Sequence, residues 1–186
     1  GHKMLDYLQS KSLRFGADIN AYTGFDETVY NIDNVPTADA ALMDSVLLVL
    51  RDWSCAITLD GKEIDEERKV IQEEWRMRND SRTRFFTAVL PFIYQEYQYQ
   101  QMPIGSMDIV MNFPYKDLRD YYHKWYRPDQ QGIIIVGDFD AEAMEKKVVD
   151  LFTPIKMPEN AAPRVYPNVS DNKEPIYFEY EDAEAP

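Results

Sequence analysis

The sequence predicts an α+β domain, with helices packed in one layer on a mostly antiparallel sheet. Three observations predict it. Apolar residues recur at helical spacing in most segments of the chain. Two stretches, "DINAYTGFDETVYNIDNV" and "QGIIIVGDF", are instead rich in β-branched and aromatic residues. The 186 residues are 45% hydrophobic and include 13 Tyr, 9 Phe and 3 Trp, enough for a hydrophobic core. No internal repeat is present, and the sum of the elements is several helices against a mostly antiparallel sheet, a two-layer pattern.

Each element follows from local pattern. Met4, Leu5, Tyr7 and Leu8 give residues 3–13 the spacing of a short amphipathic helix, with Gly16 as its stop. Alternation through Thr28, Val29, Tyr30, Asn31 and Ile32, broken upstream at Gly24-Phe25-Asp26, predicts two strands joined by a turn. Leu42, Met43, Val46, Leu47, Val49, Leu50 and Trp53 predict a largely buried helix over 38–57, capped by Thr37 or Asp39. Asp60-Gly61 marks a turn. A helix over 63–79 follows, then another over 82–98 that Pro91 kinks or breaks. "QQMPIGSMDIVMNF" reads as a loop, and "PYKDLRDYYHKWY" as an amphipathic helix with Pro114 in its first turn. "QGIIIVGDF" reads as the clearest strand in the chain. Asp140 caps a helix over "AEAMEKKVVDLF". Pro154, Pro158, Pro163 and Pro167 then mark an exit linker, and "PIYFEYE" reads as a last strand.

Composition removes several function classes. The net charge of -13 argues against binding nucleic acid, which calls for basic stripes, and against an anionic membrane surface. The single cysteine, Cys55, allows no intrachain disulfide and no Cys-rich zinc site, and reads most simply as a small core residue. No stretch is long and apolar enough to span a bilayer, and no signal-peptide pattern opens the chain. Both ends read as cut. There is no Gly-x-Ser-x-Gly elbow and no Gly-rich phosphate loop.

The helix "EERKVIQEEWRMR" poses the functional question. Glu63, Glu67, Val70, Glu74 and Met77 fall on one stripe, beside a core-facing stripe of Ile64, Ile71 and Trp75. The carboxylates therefore stand at the edge of the buried face. They are either a charged flank, with Glu67 and Arg68 among mixed surface charges, or a metal ligand with an auxiliary carboxylate beside it. His2 and His123 lack a second His at ligand spacing, so the chain cannot assemble the three protein ligands of a catalytic zinc site around a His pair. The strand in "NAYTGFDETVY" is either ordinary sheet or an edge that accepts an extended peptide.

Four ordered motifs resolve this by resemblance. "FGADINAYTGFDETVYNIDNVP", "EIDEERKVIQEEWRMR", "PIGSMD" and "WYRPDQQGIIIVGDFD" occur in the order seen in the pitrilysin/insulinase family of zinc metallopeptidases, and the chain resembles its bacterial members to about Phe152. In that family an inverted His-x-x-Glu-His motif supplies two zinc ligands and the general base, and a Glu on a later helix is the third ligand. The family's E-R-x-V-x-x-E pattern lies over Glu67 to Glu74. The resemblance therefore implies Glu74 as the Zn2+ ligand, Glu67 as an auxiliary acidic partner, and Asn20, Ala21 and Tyr22 as the substrate-binding edge strand. His-x-x-Glu-His itself is absent from these residues and is expected just upstream of Gly1, so the domain is expected to be incomplete at its N-terminus.

The resemblance implies part of a zinc metalloendopeptidase that cleaves extended or unfolded peptides with metal-activated water. The fragment alone is expected to be inactive. The alternative is a non-catalytic family member that serves as a structural or substrate-holding subunit, and a further rival is a self-standing acidic binding module. Residues 1–157 are expected to form part of the N-terminal peptidase domain, and 158–186 the linker and first strand of the next. The expected partners are a polypeptide substrate and the remaining domains of the same protein. The compartment stays open between the periplasm and the cytoplasm of a bacterium.

Overall fold

A computed structural model describes residues 2–94, 97–166, 168–169 and 171–184. The chain divides into two compact units. The first comprises Gly1–Tyr22, Thr28–Thr58 and Lys116–Ala161; the second comprises Thr23–Glu27, Leu59–Tyr115 and Ala162–Pro186. The α+β class is observed, with a helix-rich body and a small antiparallel sheet.

In the first unit, α1 (His2–Ser10) leads through a turn to β1 (Ile19–Thr23), which pairs with β2 (Thr28–Ile32). The helix stop differs from the expectation at Gly16. Ser12 adopts the left-handed conformation at φ 71°, its N–H donates to the Gln9 carbonyl (2.9 Å), and the Leu13 N–H donates to the Leu8 carbonyl (3.1 Å). This is a Schellman ending, and its usual apolar contact is supplied by Leu8 and Leu13, both fully buried. Gly16, at φ 81°, instead forms the turn into β1, donating to the Ile19 carbonyl at 2.9 Å. Asp18 ties this turn together. It accepts from the Arg14 N–H (2.8 Å), the Arg14 guanidinium (2.9 and 3.2 Å) and Asn34 Nδ2 (2.8 Å). The Arg14 side chain, then Asn34 and the Arg14 N–H, hold the Asp18 carboxyl well below the usual carboxylate range.

Helix α2 (Ala40–Cys55) begins at the expected cap, where Asp39 accepts from the Leu42 N–H at 3.0 Å. Its apolar face supplies Leu42, Val46 and Val49 to a core completed by Leu8, Leu13 and Ile19. Helix α6 (Tyr115–Trp125) closes over the end of α2: the Tyr122 hydroxyl donates to the Trp53 carbonyl (2.8 Å) and accepts from the Ile57 N–H (3.3 Å). Helix α7 (Ala141–Phe152) is capped by Asp140 as expected. "QGIIIVGDF" differs: no ladder forms over it, and Ile134 and Val136 are 88% and 90% exposed. β-Branched residues favour extended backbone, but a strand needs a neighbour for its N–H and C=O groups, and the described residues supply none here.

In the second unit, α3 (Gly61–Arg78) and α4 (Ser81–Ile93) are followed by a short helix, α5 (Met107–Asn112), inside the segment expected to be loop. Six residues are too few to display a helical period, and Ser106 makes no side-chain cap bond, so neither usual sequence signal is present. Pro91 sits in the last turn of α4, which ends two residues later, short of the expected 98; residues 95 and 96 lie outside the described set. "PIYFEYE" also forms no strand. Its Phe178 instead packs on Phe92 with ring centroids 4.9 Å apart, and Tyr180 lies 6.2 Å from Phe85, so the segment straps α4.

Candidate metal-ligand helix and substrate strand

Helix α3 starts where Asp60 accepts from the Lys62 N–H at 2.9 Å, with Glu63 in its first turn and Arg76 and Arg78 in its last. These charges suit the helix dipole. Gly61 allows a close approach: a Cβ there would lie 2.8 Å from the Tyr115 ring, which would have to shift.

Glu67 and Glu74 are seven residues apart, so they share a face and stand about 10 Å apart along the axis. Both are exposed, as are Val70 (50%) and Met77 (80%) on the same stripe. The stripe thus faces outward entirely, rather than lying at the edge of the core. Other carboxylates on α3 are taken by basic partners: Glu66 by Lys62 (3.8 Å), Asp65 by Arg68 (3.2 Å) and Glu73 by Arg76 (2.9 Å). Glu67 and Glu74 have no such partner among the described residues.

The neighbouring stripe is the surprise. Ile64 is buried as expected, but Trp75 is 38% exposed and lines a cleft of about 470 Å³ with Asn79, Thr83, Ala88 and Ile109. The other buried residue of α3 is Arg68, which the charged-flank reading places among surface charges. It is 7% exposed, with its guanidinium carbon 3.9 Å from the centre of the Phe113 ring. Its Nη1 donates to the Val110 carbonyl and its Nη2 to the Phe113 carbonyl at 2.6 Å. Asp65, which receives Arg68 Nε, also accepts from the Tyr115 hydroxyl at 2.5 Å. The signal available in sequence was position: Arg68 lies one turn after Ile64 and three residues before Ile71, inside the apolar stripe.

On β1, Ile19 is buried and Asn20, Ala21 and Tyr22 are exposed, Tyr22 by 56%. Among the described strands β1 has β2 as its one sheet neighbour. Asn20 braces the strand locally: its Nδ2 donates to the Gly16 carbonyl (3.3 Å) and its Oδ1 accepts from the Ala21 N–H (2.9 Å). The strand residues belong to the first unit and the two glutamates to the second.

Glu74 is chemically suited to zinc as a single, unpaired carboxylate donor. The described residues contain no group of three His, Cys, Asp or Glu side chains that holds a metal unaided. His123 is exposed on α6 against Tyr122, the His2 side chain lies outside the described set, and Cys55 is half-buried, its Sγ 3.4 Å from the Arg51 carbonyl. No described helix is long and apolar enough to cross a membrane.

Residues 3–105 match the family model for insulinase (peptidase family M16), and residues 112–186 match that for the peptidase M16 inactive domain. The chain is 36% identical over 173 residues to the probable zinc protease PqqL of Escherichia coli, covering 92% of this chain and 18% of that protein. It is 35% identical over 147 residues to the probable zinc protease PqqL of Haemophilus influenzae, covering 78% of this chain and 16% of the relative. The crystal structure of the first half of the periplasmic protease PqqL from E. coli superposes with a TM-score of 0.80 over 90% of this chain and 36% of that one. The chain thus spans less than a fifth of the length of these curated relatives.

Proposed function

Because the chain belongs to the insulinase family of peptidases (M16), we propose that it is part of a zinc endopeptidase acting on extended or unfolded polypeptides. One observation carries the reading. On a helix where Asp65, Glu66 and Glu73 are engaged by basic side chains, Glu67 and Glu74 remain exposed, on one face, with no partner among the described residues. A carboxylate left open in this way is free to take a cation.

Glu74 offers its carboxylate as one zinc ligand, and Glu67, two turns earlier, orients and balances the charge beside it. The other ligands and the proton-accepting Glu come from a His-x-x-Glu-His segment outside these residues. Zinc, when bound, supplies Lewis-acid polarisation of the scissile carbonyl and activation of water. Asn20, Ala21 and Tyr22 on β1 receive the substrate backbone by strand addition, which reads main chain rather than sequence. Residues 1–157 belong to the peptidase domain and 158–186 lead into the next. The partners are the substrate polypeptide and the remaining domains of the same protein, and the fragment is inactive without them. The similarity to a periplasmic protease supports a periplasmic location.

A second reading is a non-catalytic family member that holds substrates without cleaving them; the described residues contain no group of three ligands that holds a metal unaided. Peptide hydrolysis by the full-length protein separates the two. The first reading expects turnover that stops on chelation, returns with zinc and is nearly absent in Glu74→Gln. Peptide binding without turnover supports the second reading. Wild-type turnover by Glu74→Gln would overturn the first.

A further inference from the structure

Arg68 follows Glu67 directly and precedes Glu74 by six residues, yet it points the other way, into the second unit. Its targets explain why an arginine is used. Helix α5 ends at Asn112, so its last carbonyls have no intrahelical partner. Val110 is a special case, because the residue four places on is Pro114, which has no N–H to give. Arg68 Nη1 donates to that carbonyl, and Nη2 donates to the Phe113 carbonyl at 2.6 Å. Nε is held by Asp65 at 3.2 Å, and the guanidinium face lies 3.9 Å from the Phe113 ring centre. The planar fork is thus fixed in two directions within its plane and by stacking across it, which a lysine cannot reproduce.

We propose that Arg68 is the positioning residue for Glu67 and Glu74: by gripping the end of α5 it sets the rotation of α3 about its own axis, and so the direction in which both carboxylates face. The proposal rests on the reading of Glu74 as a zinc ligand. Helix geometry shows why rotation matters. A carboxylate oxygen stands ~6 Å from a helix axis, so a 20° turn moves it by ~2 Å. Metal ligation tolerates only ~0.2 Å in distance. The exposed stripe of Glu67, Val70, Glu74 and Met77 has little packing of its own to hold that angle. Arg68 lies inside the span of α3 that separates the two glutamates, so a grip there fixes both at once.

The test uses the full-length protein and two readouts: zinc affinity by competition with a chelator, and amide exchange across Met107–Phe113. Arg68→Lys keeps the charge and loses the fork. It is expected to weaken zinc binding ~10–100-fold, the range of changes to groups that orient metal ligands, and to speed exchange at the end of α5. Val89→Ala, in the buried face of α4, is the control for general destabilisation and is expected to keep wild-type zinc affinity. Asp65→Asn, which leaves both carbonyl bonds in place, is expected to fall between wild type and Arg68→Lys, and it answers the question should Arg68→Lys fail to fold. Wild-type zinc affinity in Arg68→Lys, unchanged exchange at α5, or an equal loss in Val89→Ala would each overturn the positioning role. Glu74→Gln run alongside separates the two levels. If it binds zinc like wild type, the ligand reading fails and the inference with it; if it loses zinc while Arg68→Lys keeps it, the positioning role alone fails.

Discussion

Arg84 on α4 holds Asp182 through two hydrogen bonds, Nε to Oδ2 at 2.6 Å and Nη2 to Oδ1 at 2.8 Å, across 98 residues of sequence. The same guanidinium reaches Glu184 at 2.7 Å and the Asn79 carbonyl at 2.6 Å. With Phe178 on Phe92, this clamp ties the segment from Phe178 to Glu184 to α4. Arg84, then the Glu184 N–H, push the Asp182 carboxyl down to about 2. A lowered carboxylate stabilises the fold at pH above its unfolded value, ~3.9, and loses that contribution as pH falls through the folded value. The clamp is therefore expected to persist at pH 4 and to release toward pH 2. Carboxyl-carbon NMR of Asp182 reads this directly, with Arg84→Met as the comparison, in which titration should return to the ordinary range. Ordinary titration in the wild-type protein would contradict the clamp.

Ser12 occupies a left-handed position at φ 71° that favours glycine. Ser12→Gly is expected to stabilise the protein by about 0.5–1 kcal/mol, relieving strain at a helix C′ position. Leu8→Ala, at the fully buried Leu8 behind the same turn, is expected to cost about 2–5 kcal/mol by leaving a cavity. Urea unfolding midpoints measure both. A loss of stability in Ser12→Gly would mean that the hydroxyl contributes more than the backbone conformation costs.

Tyr22 is the large exposed side chain of the proposed substrate strand, at 56% exposure. In the full-length protein, Tyr22→Ala is expected to raise KM for an extended peptide several-fold and change kcat little, because it removes binding common to ground and transition states. A fall in kcat at unchanged KM would move Tyr22 out of the substrate-holding role.

The legible parts of this fold were those whose signal is local. Asp39 and Asp140 precede apolar-periodic segments, and each accepts a backbone N–H from its helix as expected; Asp60, read only as part of a turn, caps α3 in the same way. The hairpin of β1 and β2 was visible from alternation around Gly24. Features that depend on distant partners were not. Ile133, Ile134 and Val136 have strong strand propensity, but pairing requires a neighbour that propensity does not name. The burial of Arg68 is not legible because residue type argues for solvent, while burial here depends on two carbonyls more than 40 residues away. In the site, heptad spacing puts Glu67 and Glu74 on one face, which favours a charged flank and leaves a metal ligand with an auxiliary carboxylate as the alternative. The roles are implied by the resemblance to the zinc metallopeptidases, and the structure adds that Asp65, Glu66 and Glu73 are already engaged by basic side chains.

Adjacent glutamates on α3 make the most direct measurement possible. Glu73 is paired with Arg76 at 2.9 Å, whereas Glu74 has no partner among the described residues. Zinc content and affinity of the full-length protein are therefore to be compared in Glu73→Gln and Glu74→Gln. The account predicts that Glu73→Gln binds zinc as the wild type does, and that Glu74→Gln loses most of it while remaining folded. Equal zinc binding by the two variants would contradict it.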